Sequence, residues 1–301
     1  MQESRRNYFL LHFIVFIWGW TAILGKVITL NAFKLVWLRI PIALAGILAF
    51  LLITRKPIAT TRQNAWKYLA TGLIVALHWI CFYGAIKASN VSVTLACFST
   101  GSLFTAIIEP IFLKRKVLGY EIVFGVMVVG ALGLIFGVET RYAWGILLGV
   151  LAALTSSIFG VINGFLVQRG HNGTTISLYE MLGGFIGMTI FVLIVKPWDG
   201  PWFEMSGDDL CYLLILGIAA TTVPFLISLY ILKTVSPYTV SLTLNLETVY
   251  GIIFAYFIFQ ENQELTGYFY LGAAIILSTV FLNGWMKMRY SKTLATMVNN
   301  K

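Results

Sequence analysis

Charge is what this sequence lacks. Charged residues make up 11% of its 301 positions, 12 acidic and 21 basic, where a soluble domain carries about 25%. That leaves too little polar surface to cover a water-soluble globule. Cysteine is scarce too. Cys81, Cys97 and Cys211 lie in or beside apolar stretches, odd in number and at no metal-ligand spacing, so they imply neither a metal centre nor a disulfide framework. His12, His78 and His171 fall at different depths, no nucleophile–base pair is evident, and no GxxxxGK(S/T) loop occurs. A membrane-embedded enzyme is therefore disfavoured, and no cofactor is expected. The alternating ten-residue signature of an outer-membrane barrel is absent as well.

What is present is a series of apolar blocks of about 20 residues, the length of helix that crosses a ~30 Å hydrocarbon core. They read as ten spans at 8–30, 35–53, 66–88, 91–113, 119–138, 144–166, 175–196, 210–232, 237–259 and 265–286. The first is too long for the core of a signal peptide and lacks a small-residue cleavage site, so it is expected to remain as a helix. The net charge of +9 is not a nucleic-acid footprint, because the basic residues cluster in short loops, where they orient the chain and meet anionic lipid. Alternate loops hold 15 and 5 Lys or Arg. The richer side includes Arg5, Arg6, Lys114, Arg115, Lys116 and Lys301, which puts both termini in the cytoplasm.

The halves resemble each other. The run SNVSVTLACFSTGSLFTAII from Ser89 lies 147 residues before SPYTVSLTLNLETVYGIIFA from Ser236. Arg39 and Gly46 map onto Glu180 and Gly187, both 141 residues on. Gly119-Tyr120 and Gly267-Tyr268 open the last helix of each half. The division falls at 1–140 and 141–301. Five helices per copy is an odd number, so the second copy enters the membrane upside down, a recurrent plan of secondary transporters with a site near the midplane.

These motifs resemble the drug/metabolite transporter superfamily, and within it the ten-helix EamA-type exporters. Trp18-Gly19 followed by Lys26, and Arg39 in the second helix, are similar to family features. So is LNLETVYGIIFAYFIFQE in the ninth, with Glu247 and Glu261 at its acidic positions. Thr248 stands where the family has proline, Thr100-Gly101 where an acidic residue or proline is common, and Lys114 where a closing Glu is usual. The resemblance implies an all-α bundle of two repeats around a central cavity, moving small metabolites, often amino acids, outward by alternating access.

Candidate site residues follow from depth. Glu247 is about the eleventh residue of its helix, and an ionisable group at the midplane is costly unless it faces protein, water or substrate. His78 is at matching depth; a cavity wall and a packed histidine bonded to a carbonyl fit it equally. Trp18, Trp20, Trp79, Tyr83 and Phe98 lie too deep for an interfacial belt and could line a cavity or pack. Ser99, Ser102, Thr105 and Glu109 share one face of the fourth helix, where small polar residues either pack helices or line a pore, and Glu109 could pair with Lys114 or Arg115. The ninth helix is polar on two sides, with Asn245 on one and Glu247 on the other, so it belongs inside the bundle. Arg39 and Glu180 lie about one turn inside opposite helix ends, too far apart in depth to pair; with Lys26 they suit the two cavity mouths, or snorkelling. Pro41, Pro110 and Pro224 fall inside helices and favour kinks.

The reading is a multi-pass inner-membrane carrier exporting amino acids or similar metabolites, with Trp18, His78, Trp79, Tyr83, Phe98, Ser102, Asn245 and Glu247 as substrate contacts on the first, third, fourth, sixth and ninth helices. The deep aromatics and Glu247 would also suit quaternary amines or cationic drugs. A channel or a non-transporting scaffold is a third class, disfavoured by the inverted repeat. The expected partners are a small-molecule substrate and the bilayer, with no nucleic acid, and both a monomer and a homodimer are compatible.

Overall fold

The computed structural model describes residues 2–113, 119–138 and 140–299. Lys114, Arg115, Lys116 and Lys301 lie outside the described residues, as do the side chains of Lys287, Arg289 and Lys292; the orienting charges and the Glu109 pairing that involve them lie there too. The secondary structure described is all helical: α1 (Gln2–Val27), α2 (Ala32–Ile53), α3 (Arg62–Ala88), α4 (Val91–Phe98), α5 (Gly101–Leu113), α6 (Gly119–Val138), α7 (Ala143–Gln168), α8 (Gly173–Val195), α9 (Gly207–Leu214), α10 (Val223–Ile231), α11 (Pro237–Phe259) and α12 (Gly267–Asn299), with a π-helical segment Ile215–Thr222 between α9 and α10.

Short polar caps start these helices. Asn31, Thr61 and Asn90 accept from backbone N–H groups at the starts of α2, α3 and α4, and Asn172, Ser206 and Ser236 do the same for α8, α9 and α11. Each satisfies donors that the first turn leaves unpaired. The two sets occupy corresponding places in the two halves of the chain.

Eight helical stretches among the described residues are long and apolar enough to cross a membrane; in α6 and α12 the apolar stretches, Val123–Ile135 and Gly267–Thr279, are shorter. Two expected spans are not continuous α-helix. The fourth breaks at Ser99 and Thr100. There the N–H groups of Thr100 and Leu103 donate to carbonyls three residues back, at 3.2 and 3.0 Å, and the Ser99 and Thr100 hydroxyls turn back onto the carbonyls of Ala96 and Cys97, both at 2.7 Å. Hydroxyls that compete for carbonyls in this way bend helices. The single polar stripe expected through Ser99, Ser102, Thr105 and Glu109 is therefore split between α4 and α5. The eighth span carries the π segment just before Pro224, which has no N–H to give an α-helical turn. The Thr221 and Thr222 hydroxyls instead donate five residues back, to Leu216 O and Gly217 O, at 2.6 and 3.0 Å. At the chain ends α1 starts earlier and α12 runs further than expected, because helix can continue into water once lipid no longer selects apolar residues.

The two halves interlock. α2 packs on α8, α6 on α12, and α4 and α5 on α11; each of these contacts joins corresponding helices of the two halves. The remaining large contacts come in exchangeable pairs. α3 on α7 is matched by α10 and the π segment on α1, and α1 on α11 by α7 on α4 and α5. The tightest crossing is α3 against α8: a Cβ at Gly72 would lie 2.0 Å from Glu180 O, and one at Gly183 would lie 2.2 Å from Leu69 O. Small residues at such crossings let backbones touch in membranes. Beside this core, α6 and α12 close on each other around Ile135, Phe269 and Ile276.

Large apolar side chains such as Phe9, Ile53 and Phe257 cover the outside of the bundle, as a hydrocarbon solvent requires. Trp20 is among them. It is 38% exposed and stacks on Phe254 at 4.4 Å, so it faces outward and not into a cavity.

A layer of polar bonds ties together the helix ends near Lys26. Asp209 accepts from Thr29 N and Oγ1 at 2.7 and 2.6 Å; Lys34 Nζ donates to Pro201 O and Glu204 O at 3.1 and 2.6 Å; Lys87 Nζ donates to Ile28 O at 2.5 Å. Buried Glu261, just beyond α11, accepts from Val91 N and Ser92 N at 2.9 and 2.8 Å and lies 3.8 Å from Lys26 Nζ. A carboxylate at the start of α4 answers both its unpaired donors and its dipole. Glu261→Ala strands two buried N–H groups, at about 1–3 kcal/mol each. The expected outcome is a clearly lowered unfolding midpoint for the detergent-purified protein, and an unchanged midpoint would refute this role.

Candidate functional site

Between the halves lies a cavity with about 960 Å³ of empty space, its opening included. Trp18 from α1, Arg39 from α2, His78, Trp79 and Tyr83 from α3, Phe98 from α4 and Glu247 from α11 all border it. The wall extends along α7, α10 and α11 to Leu232 and Pro237 at the α10–α11 turn. It includes no residue from the opposite helix ends, where Lys26, Asn31 and Lys87 stand. The cavity thus reaches toward the α10–α11 turn and stops short of the polar layer.

Arg39 occupies the eighth position of α2, two turns in rather than one, and is buried. Nε donates to Thr221 Oγ1 at 2.7 Å and Nη1 to Tyr83 Oη at 2.6 Å, while the guanidinium lies 4.2 Å from the Trp79 ring centroid. These contacts fix the guanidinium plane and add cation–π stabilisation. Nη2 has no protein partner among the described residues.

Glu247 is the complement. It is buried and borders the cavity, yet among the described residues its carboxylate accepts no hydrogen bond and has no cation within 4.0 Å. The charge that acts on it is Arg39. The cavity therefore presents a guanidinium and a carboxylate, each with unused hydrogen-bonding capacity, among aromatic rings.

His78 Nδ1 lies 2.9 Å from Ala152 O. With a carbonyl as partner Nδ1 is the donor, which leaves Nε2 as an acceptor. Its ring packs within 5.5–6.0 Å of Phe82, Phe98 and Phe159. Ser102 and Asn245 do not border the cavity; they line a narrow void beside it. Their polar atoms turn back to backbone: Ser102 Oγ to Ser99 O at 3.4 Å, and Asn245 Nδ2 to Leu242 O at 2.9 Å. Glu180 is buried outside the cavity wall and pairs with Asn163, not Arg39, and Lys26 belongs to the polar layer. α2 and α10 also border the cavity, although neither was among the helices expected there. Thr221, Phe225 and Ser228 escaped notice because a π segment sets their direction. Asn163 could have been found, since it is an amide deep in an apolar helix.

An all-helical membrane bundle around a charged, aromatic-walled cavity is the architecture of a small-solute carrier. The profile of the EamA-like transporter family matches residues 6–137 and again 143–285. The chain belongs to that family, within the drug/metabolite transporter superfamily, whose members are membrane transporters and not enzymes. No curated protein sequence matches this one. A solved crystal structure of a protein 14% identical in sequence is similar in fold, with a TM-score of 0.65 over 93% of this chain and 97% of that one.

Proposed function

We propose that this protein is a secondary active transporter of the inner membrane that exports amino acids or similar zwitterionic metabolites by alternating access. One observation carries the reading: Arg39 and Glu247, opposite in charge and incompletely bonded, border the same cavity. A guanidinium suits a carboxylate by its planar fork, and a carboxylate suits an ammonium. The rings of Trp18, Trp79 and Phe98 take an apolar side chain. Cationic drugs and simple quaternary amines fit less well, because Arg39 would oppose them. A quaternary amine that also bears a carboxylate satisfies both ends and is the second reading.

The transport cycle follows from the architecture. Ten spans as two inverted five-helix repeats, 1–140 and 141–301, agree with the two family matches and with the exchangeable packing of the halves. With cytoplasmic termini, the α10–α11 turn is cytoplasmic and the cavity opens inward, ready to load solute for export. Lys26, Lys34, Lys87, Asp209 and Glu261 then form the closed outer gate. Its lysines belong to the sparsely basic side and are engaged in bonds that need them there, which accounts for their departure from the orientation rule.

The test is a thermal-shift screen of the purified protein against amino acids, quaternary amines and polyamines. A solute bound only by the folded state raises the midpoint by mass action, about 2.7 kcal/mol at a hundred times its Kd. Zwitterions are expected to stabilise and polyamines not. Stabilisation by polyamines alone would overturn the reading.

A further inference from the structure

Glu180 lies outside the cavity wall, at the eighth position of α8, with no exposed surface. Asn163 of α7 connects it to the cavity: the amide borders the cavity and its Nδ2 donates to Glu180 Oε2 at 3.3 Å. The other side of the pair is bare. Asn163 Oδ1 and Glu180 Oε1 are both buried and, among the described residues, both without a hydrogen-bond partner. When the carboxyl is ionised both atoms are acceptors. An unsatisfied oxygen on a buried charge is among the most costly arrangements in a bundle. One proton on Oε1 removes the charge and supplies the donor the site lacks, beside an amide that borders the cavity.

We propose that Glu180, held by Asn163, is the proton-binding site that couples export to the proton gradient. The inference rests on the carrier reading above and adds its coupling ion. Among the described residues on the elements packed against α8, Tyr68 of α3 interacts electrostatically with Glu180; neither α2, which carries Lys34 and Arg39, nor α10, with Tyr230, presents a charge that acts on it. Tyr68 Oη is in turn 2.5 Å from Nδ1 of half-buried His171, in the turn after α7. A metal cation in place of the proton would need more oxygens than the two bare ones, Asn163 Oδ1 and Glu180 Oε1. In the cycle, Glu180 takes a proton while the cavity faces outward and releases it inward, in exchange for the solute that leaves. No bond other than O–H forms or breaks.

Two measurements test this. In the infrared, the purified full-length protein at neutral pH should show a carboxylic-acid C=O band that is missing from Glu180→Gln; its presence in both proteins or in neither overturns the site. Should Glu180→Gln fail to fold, Asn163→Leu keeps the carboxyl but removes its partner, and a band that does not move overturns the pairing. In liposomes, a labelled amino-acid mixture is first exchanged between equal pools and then released against an acidic exterior. The gradient should raise release by about tenfold, the equivalent of 1.4 kcal/mol of coupling, and the ratio of gradient-driven to equilibrium exchange should fall to unity in Glu180→Gln. Wild-type exchange without a gradient response, a response that persists in Glu180→Gln, or a response to sodium in place of protons would each overturn the coupling. Absence of wild-type exchange would instead defeat the carrier reading, and the infrared band would still decide whether Glu180 holds a proton.

Discussion

Glu247→Gln is expected to lower transport at least about tenfold while the protein stays folded. The amide keeps the size and shape of the acid but not its charge. A hydrogen bond to a charged group is worth about 1.5–3 kcal/mol, and each 1.4 kcal/mol lost in the rate-limiting state is a factor of about ten. Folding should be unharmed, because among the described residues the carboxylate accepts no hydrogen bond that Gln would break, and removing a buried charge is often neutral or stabilising. Arg39 would be a poorer probe, since its loss also frees Thr221 and Tyr83. The measurement is solute exchange in liposomes beside a thermal melt. Glu247→Gln exchanging every solute tested at the normal rate would defeat the role.

The largest effect on stability is expected from Gly72→Ala. The added methyl would sit 2.0 Å from the carbonyl oxygen of Glu180, and the obstacle is backbone that cannot rotate away. α3 and α8 would have to part along their whole crossing. Overpacking costs about 1–3 kcal/mol where side chains can adjust; backbone against backbone belongs at or above the top of that range. Gly125→Ala is the control. Nothing lies within 4 Å of the added carbon there, and helix propensity favours Ala by up to about 1 kcal/mol. A melt in which Gly72→Ala matches Gly125→Ala would show that the crossing is looser than described.

Hydropathy alone located the long apolar helices, because lipid selects side chains over whole turns and leaves a clear mark. Depth along each helix singled out Glu247, Trp18 and Tyr83, which border the cavity, since a polar or bulky group mid-membrane has few places to go. Direction around the helix was far less legible. Ser102 and Asn245 lie at suitable depths, yet their polar atoms are occupied by their own backbone. Trp20, two residues after Trp18, points to the opposite side. Arg39 was expected at a mouth because its helix start was placed three residues late, at 35 instead of Ala32. Contacts between residues far apart in the chain, such as Arg39 with Thr221 or Glu261 with the start of α4, leave no periodic trace.

The π segment means that the chain carries surplus length beside the cavity. An α-helical path from Leu214 to Pro224 would hold one residue fewer, and each residue of α-helix turns the axis by about 100°. Absorbing that surplus elsewhere would rotate α10 as a rigid rod and swing Phe225 and Ser228 along the cavity wall. The same turn would withdraw the Thr221 hydroxyl from Arg39, so the hydrogen bond that steadies the guanidinium also records the phase of the helix.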